Sequence, residues 1–249
     1  LLTVTLSGLE AKVASVVKSS DQVHVVVYAD DFVVTGATRE VLEERVKPAI
    51  VEFLKERGLT LSEEKTVITH IDQGLDFLGF NMRKYKGKLL IKPSSRSIRT
   101  FLANIRDAVK GHPTAKTENL IRLLNPKIRG WANYFRHVVA KDTFSYIDSC
   151  IFRIPWNWAK RRHPNRSSKW IWAKYFSAPN VVRGTLSAKI QGKSGQGLLT
   201  VFRAATVPIQ RHVKIRADAN PFDPQYTVYF EQRSKRVKEP DKDAAPPIL

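Results

Sequence analysis

The chain has 249 residues, 42 Lys and Arg against 23 Asp and Glu, and a formal net charge of +19. That length buries a substantial core as one large or two modest domains, and the charge implies an anionic partner, most simply nucleic acid. One cysteine, Cys150, excludes a disulfide framework and a Cys-rich zinc module, and no stretch has the apolar length of a membrane-spanning helix.

From the amino terminus, Leu1 to Gly8 lacks the basic flank of a secretion signal and reads as the cut edge of something longer. Val23 to Tyr28 is rich in β-branched residues and predicts a strand. Ala29-Asp30-Asp31 breaks it and Phe32 to Val34 resumes it, a hairpin with two carboxylates at its tip. Thr38 can cap a helix over 39–57 whose apolar face is Val41, Leu42, Val46, Ala49, Ile50, Phe53 and Leu54. Pro48 should kink it and Gly58 should end it. Thr66 to Thr69 predicts another strand. Asp76 to Phe80 begins a hairpin that turns at Lys86-Gly87-Lys88 and returns over Leu89 to Ile91.

After Pro93 and Ser94 the pattern becomes helical. One helix runs from Arg96 to Lys110, ended by Gly111 and Pro113, and another from Thr117 to Leu124. A third opens at Pro126 and passes Trp131, Phe135 and Val138; a fourth, Asp142 to Ile154, ends at Pro155. Four glycines mark 184–200 as a flexible loop, and the charged, Pro-containing stretch 235–249 as a disordered tail. The expected fold class is α+β, with antiparallel strands and a helix first and an α-helical domain after them. The expected boundaries are 1–92, 93–183, a basic extension 184–234, and the tail.

Charge is not spread evenly. Residues 1–92 carry 13 basic and 13 acidic side chains, and 93–150 carry 10 and 4. Residues 151–216 carry 14 basic and no acidic ones. A soluble surface normally mixes signs, so this block reads as a footprint for phosphates. All five tryptophans lie between Trp131 and Trp172, among Arg153, Lys160, Arg161, Arg162, Arg166, Lys169 and Lys174. Cations interleaved with aromatics suit RNA, whose unpaired bases stack on rings. Trp131, Tyr134 and Phe135 on one helix are expected in the core. Trp156 and Trp158 fit either core or contact. Gly192-Lys193-Ser194 lacks the first glycine of a phosphate-binding loop, which would fall at Ser187. The six histidines are scattered without zinc spacing.

Two adjacent aspartates at a hairpin tip repel each other, and a hard cation such as Mg²⁺ relieves that. In isolation Asp-Asp is also an ordinary polar turn. The surrounding motifs are more specific. His24-Val-Val-Val-Tyr28-Ala29-Asp30-Asp31-Phe32 resembles the Tyr-x-Asp-Asp motif of reverse transcriptases. Gly58 to Thr66 is similar to the next palm motif, with its lysine at Lys65, and Phe77-Leu78-Gly79-Phe80 resembles the primer-grip hairpin. Arg129-Gly-Trp-Ala-Asn-Tyr-Phe135 and Trp156 to Pro164 resemble the maturase domain of group II intron-encoded reverse transcriptases.

The resemblance spans roughly residues 6–233 in the family's order. It implies a partial polymerase palm followed by an α-helical thumb/maturase domain. It implies that Asp30 and Asp31 ligate catalytic Mg²⁺, with Mn²⁺ as an alternative ion. Tyr28, Ala29, Phe77, Leu78 and Gly79 would contact primer or nucleotide. Lys65 would act as a proton donor or phosphate contact, unless it is a surface lysine after a helix. Arg129, Arg136, Lys160, Arg161, Arg162, Arg166, Lys169 and Lys174 would bind RNA. The implied partners are group II intron RNA, an RNA template with a DNA primer, and target DNA. The implied place is a bacterial cytoplasm or an organelle.

The family's further palm aspartate has no counterpart, since only Glu10 and Asp21 precede Tyr28 and neither lies in a strand pattern. The expectation is therefore an RNA-directed DNA polymerase by family whose chain does not polymerise alone. The alternatives are a non-enzymatic RNA-binding splicing factor and an inactive remnant.

Overall fold

A computed structural model describes residues 5–192, 195–212, 215–216 and 219–238. The chain forms two compact units, one of Leu1–Leu78 with Met82–Leu89 and one of Gly79–Asn81 with Leu90–Leu249.

In the first unit, helix α1 (Leu9–Val16) buries Leu9 and Val13. Strands β1 (His24–Tyr28) and β2 (Asp31–Thr35) pair antiparallel with Val25 opposite Val34 and Tyr28 opposite Asp31. A single helix then runs on from residue 39: a π-helical turn over Val41–Val46 passes directly into α2 (Lys47–Lys55). Pro48, where a kink is expected, lies in the first turn of α2 directly after that widened turn. Proline has no N–H to donate and its ring crowds the carbonyl four residues back, so the wider turn comes just before it. All seven expected apolar-face residues turn inward: Val41, Val46, Ala49, Ile50, Phe53 and Leu54 are buried and Leu42 half-buried. Six of them join Leu6, Leu9 and Val13 in one apolar cluster, which is the core of this unit. Gly58 ends the helix at φ 68°, with the Leu59 N–H donating to the Leu54 carbonyl at 2.9 Å. That left-handed cap is a glycine position because a Cβ is strained there.

Thr66 to Thr69 is not a strand. The segment leaves a turn in which the Thr66 hydroxyl donates to the Ser62 carbonyl at 2.7 Å, and Val67 is 75% exposed. No described strand lies beside it, so β propensity has no ladder to join. The following hairpin is a three-stranded meander, β3 (Leu75–Phe77), β4 (Phe80–Tyr85) and β5 (Lys88–Pro93). Leu78-Gly79, expected within a strand, is itself a two-residue turn, with φ 50° and 79° matching the 46° and 80° of Lys86-Gly87. Two successive positive φ angles give the twist that joins adjacent antiparallel strands.

The second unit is helical. Ser94 caps α3 (Ser95–Lys110) by accepting from the Ser97 N–H at 3.1 Å, and Phe101, Leu102, Ile105 and Val109 line its buried face. Two sequence expectations are corrected here. Thr117 to Phe135 is one helix, α4 (Thr117–Phe135), with Pro126 inside it, and α5 (Lys141–Arg162) continues through Pro155 to Arg162. Both prolines sit within unbroken apolar stripes: Leu120, Ile121, Leu124, Ile128, Ala132 and Phe135 on α4, and Ile147, Ile151, Trp158 and Ala159 on α5. Burial at about 1.5–3 kcal/mol per large side chain outweighs the roughly 3 kcal/mol that an interior proline costs.

Helix α6 (Ser168–Tyr175) follows. The expected loop 184–200 contains instead an antiparallel hairpin, β6 (Ser187–Gly192) with β7 (Gly195–Thr200). Buried Leu186 and Val201, with half-buried Ala188 and Leu199, pack it on the helices. Asn125 on α4 clamps its end, donating to the Thr200 carbonyl at 2.9 Å and accepting from the Phe202 N–H at 2.7 Å. The expected disordered tail begins too early, because α7 (Thr227–Lys238) runs through 235–238. Residues 239–249 lie outside the described residues. No described helix is long and apolar enough to cross a membrane.

Candidate metal turn and nucleic-acid interface

The β1–β2 hairpin places Ala29 and Asp30 as its two-residue tip and Asp31 as the first residue of β2, with Ala29 at φ 54°. Asp30 and Asp31 are exposed, and among the described residues neither carboxylate has a hydrogen bond or ion pair. Val25, Phe32 and Val34 pack against the unit's core. Strand alternation puts Val26, Tyr28 and Asp31 on the opposite face. That face is open, with Val26 54% and Tyr28 63% exposed. The aspartates therefore stand on a rigid two-stranded support beside an uncovered apolar surface.

Exposed, unpartnered carboxylate oxygens suit a hard divalent cation. They are an incomplete donor set, because the described residues contain no group of three His, Cys, Asp or Glu side chains able to hold an ion. Of the two earlier carboxylates, Glu10 is exposed on α1. Asp21 is occupied by Arg45 at 2.8 Å and by the Lys18 N–H at 2.8 Å. Lys65 is exposed, and no hydrogen bond or ion pair joins it to either aspartate. Phe77, Leu78 and Gly79 are half-buried at the meander turn. Gly79 has a structural role of its own: its carbonyl accepts from the Ser94 N–H at 2.8 Å, and a Cβ there would meet the Phe135 ring at 3.6 Å.

The helical unit carries the basic block. Arg129, Lys160, Arg161, Arg162, Arg166, Lys169 and Lys174 are exposed, and Arg136 is half-buried with its Nε unpartnered. In residues 151–216, among those described, only Arg203 has a carboxylate partner, Asp148 at 3.6 Å. Aromatic faces take the carboxylates' place. Lys160 lies 5.5 Å from the Trp156 ring, Arg162 5.2 Å from Trp158, and Arg183 5.5 Å from Trp172. Trp170 has Arg166 at 5.2 Å and Lys174 at 4.6 Å. Each tryptophan of the block thus carries a cation, attracted by the ring quadrupole and still positively charged toward solvent.

The field is felt by His163, whose pKa is lowered first by burial and then by Lys174, Arg162 and Arg166. His163 shares a 2.7 Å hydrogen bond with the Tyr175 hydroxyl. Phe135 is core as expected, whereas Trp131 is only half-buried, and Tyr134 is 52% exposed and stacks on Phe80 at 5.2 Å; Trp158, open between core and contact in the sequence, is core. Trp156 is half-buried in a cluster with Phe152, Trp172 and Phe176. The sequence pattern singles out neither Lys110 nor Arg183. Only packing brings Lys110 beside Arg161 and Arg183 over Trp172.

Residues 2–82 match the reverse transcriptase (RNA-dependent DNA polymerase) family. Residues 98–176 match the group II intron maturase-specific domain. The chain is 29% identical over 129 residues to the ribosomal operon-associated A protein of Euglena longa, covering 51% of this chain and 25% of that protein. The chain thus spans about a quarter of the length of that relative. The strands and helices of the first unit lie within the residues matched by the reverse transcriptase family or directly beside them. With the maturase-specific match following it in order, the two matches together support a group II intron-encoded reverse transcriptase/maturase.

Proposed function

We propose that the helical unit binds group II intron RNA and assists its splicing, with residues 93–183 and the extension 184–234 acting as one RNA-binding surface. One observation carries this: a block without carboxylates begins inside the region matched by the maturase-specific domain, and five of its cations sit on tryptophan faces while, among the described residues, only Arg203 has a carboxylate partner. Such cations remain available to phosphates, and the flanking rings to unpaired bases. The first test is a titration of labelled group II intron RNA at rising salt, with an unrelated structured RNA as competitor. Intron RNA should survive the competition. Equal competition by both RNAs would reduce the surface to a generic basic patch. In the double variant Arg161→Ala/Arg162→Ala, binding should weaken about tenfold and the logarithmic salt slope should fall by nearly two, about 0.9 per lost phosphate contact. An unchanged slope would count against these residues.

In the palm unit, Asp30 and Asp31 would supply two carboxylate ligands to Mg²⁺ or Mn²⁺. Bound ions would hold a primer 3′-hydroxyl and a triphosphate in line. The chain's own residues would position: the β1–β2 ladder fixes the tip, and Tyr28 presents its ring on the face shared with Asp31. Lys65 would contact phosphate, and RNA template, DNA primer and target DNA would be the nucleic acids engaged.

The incomplete donor set favours a second reading for the chain by itself, RNA binding without polymerisation. Purified chain with Mg²⁺ and a primed RNA template should yield no extended primer. Extension abolished by Asp30→Asn would sink that reading and place polymerisation in this chain.

A further inference from the structure

On the proposed RNA-binding unit, the carboxyl ends of α3 and α5 converge on a cleft of about 550 Å³, lined by Val109, Lys110, Pro113, Thr114, Trp158, Arg161 and Arg162. The accessible apolar lining is the exposed Pro113 ring with the aliphatic stems of Lys110 and Arg161, and the buried Val109 and Trp158 form the floor beneath it. Trp158 is held there by its indole N–H, which donates to the His112 carbonyl at 3.0 Å. Arg162 is fixed as well, lying over the Trp158 ring and donating to the Ala115 carbonyl. Lys110 and Arg161 are exposed, and among the described residues their side chains have no hydrogen bond or ion pair. The cleft is lined by three cations and no carboxylate.

We propose that this cleft receives a single unpaired RNA nucleotide, its base against the apolar lining and its flanking phosphates on Lys110 and Arg161. The proposal rests on the RNA-binding reading and narrows it to one subsite. Two features favour a nucleotide over an acidic peptide. Guanidinium planes both stack on bases and grip phosphate in a bidentate fork. The lining also offers apolar surface for a flat ring, which a carboxylate side chain does not use. A paired duplex keeps its bases stacked inside and could present only phosphates. The competing structural account is that Lys110, Arg161 and Arg162 merely complement the negative ends of two helices. That account needs no open cleft.

The test separates shape from charge. Thr114 is exposed at the cleft wall, so Thr114→Phe fills the cleft while keeping every cation. The full chain would be titrated with labelled decauridylate and with a fully paired RNA hairpin carrying the same number of phosphates. Thr114→Phe should weaken decauridylate binding about tenfold and hairpin binding less than about twofold, since base stacking and pocket burial are lost but phosphate contacts are not. Thr114→Leu, a smaller filling, should fall between wild type and Thr114→Phe. Arg161→Ala should weaken both RNAs and lower both salt slopes by about one. Decauridylate binding by Thr114→Phe equal to wild type overturns the proposal while leaving RNA binding intact. So does polyglutamate that binds wild type and loses its hold in Thr114→Phe while decauridylate does not. A wild-type chain that binds neither RNA brings down the RNA-binding reading itself.

Discussion

Replacing Trp158 with alanine is expected to lower the stability of the helical unit by about 3–5 kcal/mol, the range for truncating a large buried aromatic. Trp158 is 2% exposed and packs edge-on against Tyr175 at 5.8 Å between ring centres. Its indole N–H holds the α3–α4 connection through His112, and its face carries Arg162, so truncation removes packing, a hydrogen bond and a cation–π contact together. Domain stability is only about 5–15 kcal/mol, so the loss would be a large share of the whole. Trp158→Phe separates the contributions. It keeps most of the ring volume and frees a carbonyl on an exposed residue, where water can replace the bond, and should cost no more than about 1.5 kcal/mol. Urea unfolding followed by far-UV circular dichroism would measure both. Equal, small losses in the two variants would show that the ring is not a keystone of this core.

The second large effect is expected at Asp148. Its carboxylate, on α5, accepts from the Ala204 N–H at 2.7 Å and the Ala205 N–H at 3.1 Å. It thereby caps the single turn Ala204–Thr206 that fastens the segment after the β6–β7 hairpin. Asp148→Ala leaves two backbone donors without a partner and should destabilise the unit by about 2–4 kcal/mol, at about 1–3 kcal/mol per unsatisfied group. Burial raises the Asp148 pKa, against the lowering influence of the two N–H donors and of Arg203. A folded carboxyl pKa above the unfolded value means that the native state prefers the protonated form. Its contribution to stability is fully present below the unfolded pKa and is lost as pH rises through the folded pKa. The stability of wild type relative to Asp148→Asn, which cannot titrate, should therefore increase as pH falls from 7 to about 4. A difference that shrinks on acidification would mean that the hydrogen bonds, not burial, dominate this carboxyl.

Local motifs were legible wherever a short stretch decides its own geometry. The β-branched run before Asp30 and the turn itself could be read as a hairpin because strand propensity and the break at Ala29 lie within a few residues. The apolar spacing of Val41 to Leu54, and glycine at 58, likewise specified a helix face and its end. The prolines misled. Pro126 and Pro155 are helix breakers by local chemistry, yet both lie inside helices because the apolar stripes on either side remain in phase and are buried together. The glycines of 184–200 suggested a loop, and a hairpin forms because Leu186 and Val201 find the helical core and Asn125 finds the backbone. Thr66 to Thr69 erred the other way, having strand composition and no neighbouring strand.

What the sequence by itself determined is the chemistry available: a carboxylate pair at a turn, a basic block with no acid of its own, and family motifs in order. These follow from residue type and spacing, which need no partner to be read. Tertiary structure alone decided which groups meet. It set Lys110 beside Arg161 and Arg162 around a cleft, placed Trp158 inside and Tyr134 outside, and laid a cation on each tryptophan of the block. Those outcomes depend on contacts between residues distant in the chain, where burial of apolar surface overrides local preference.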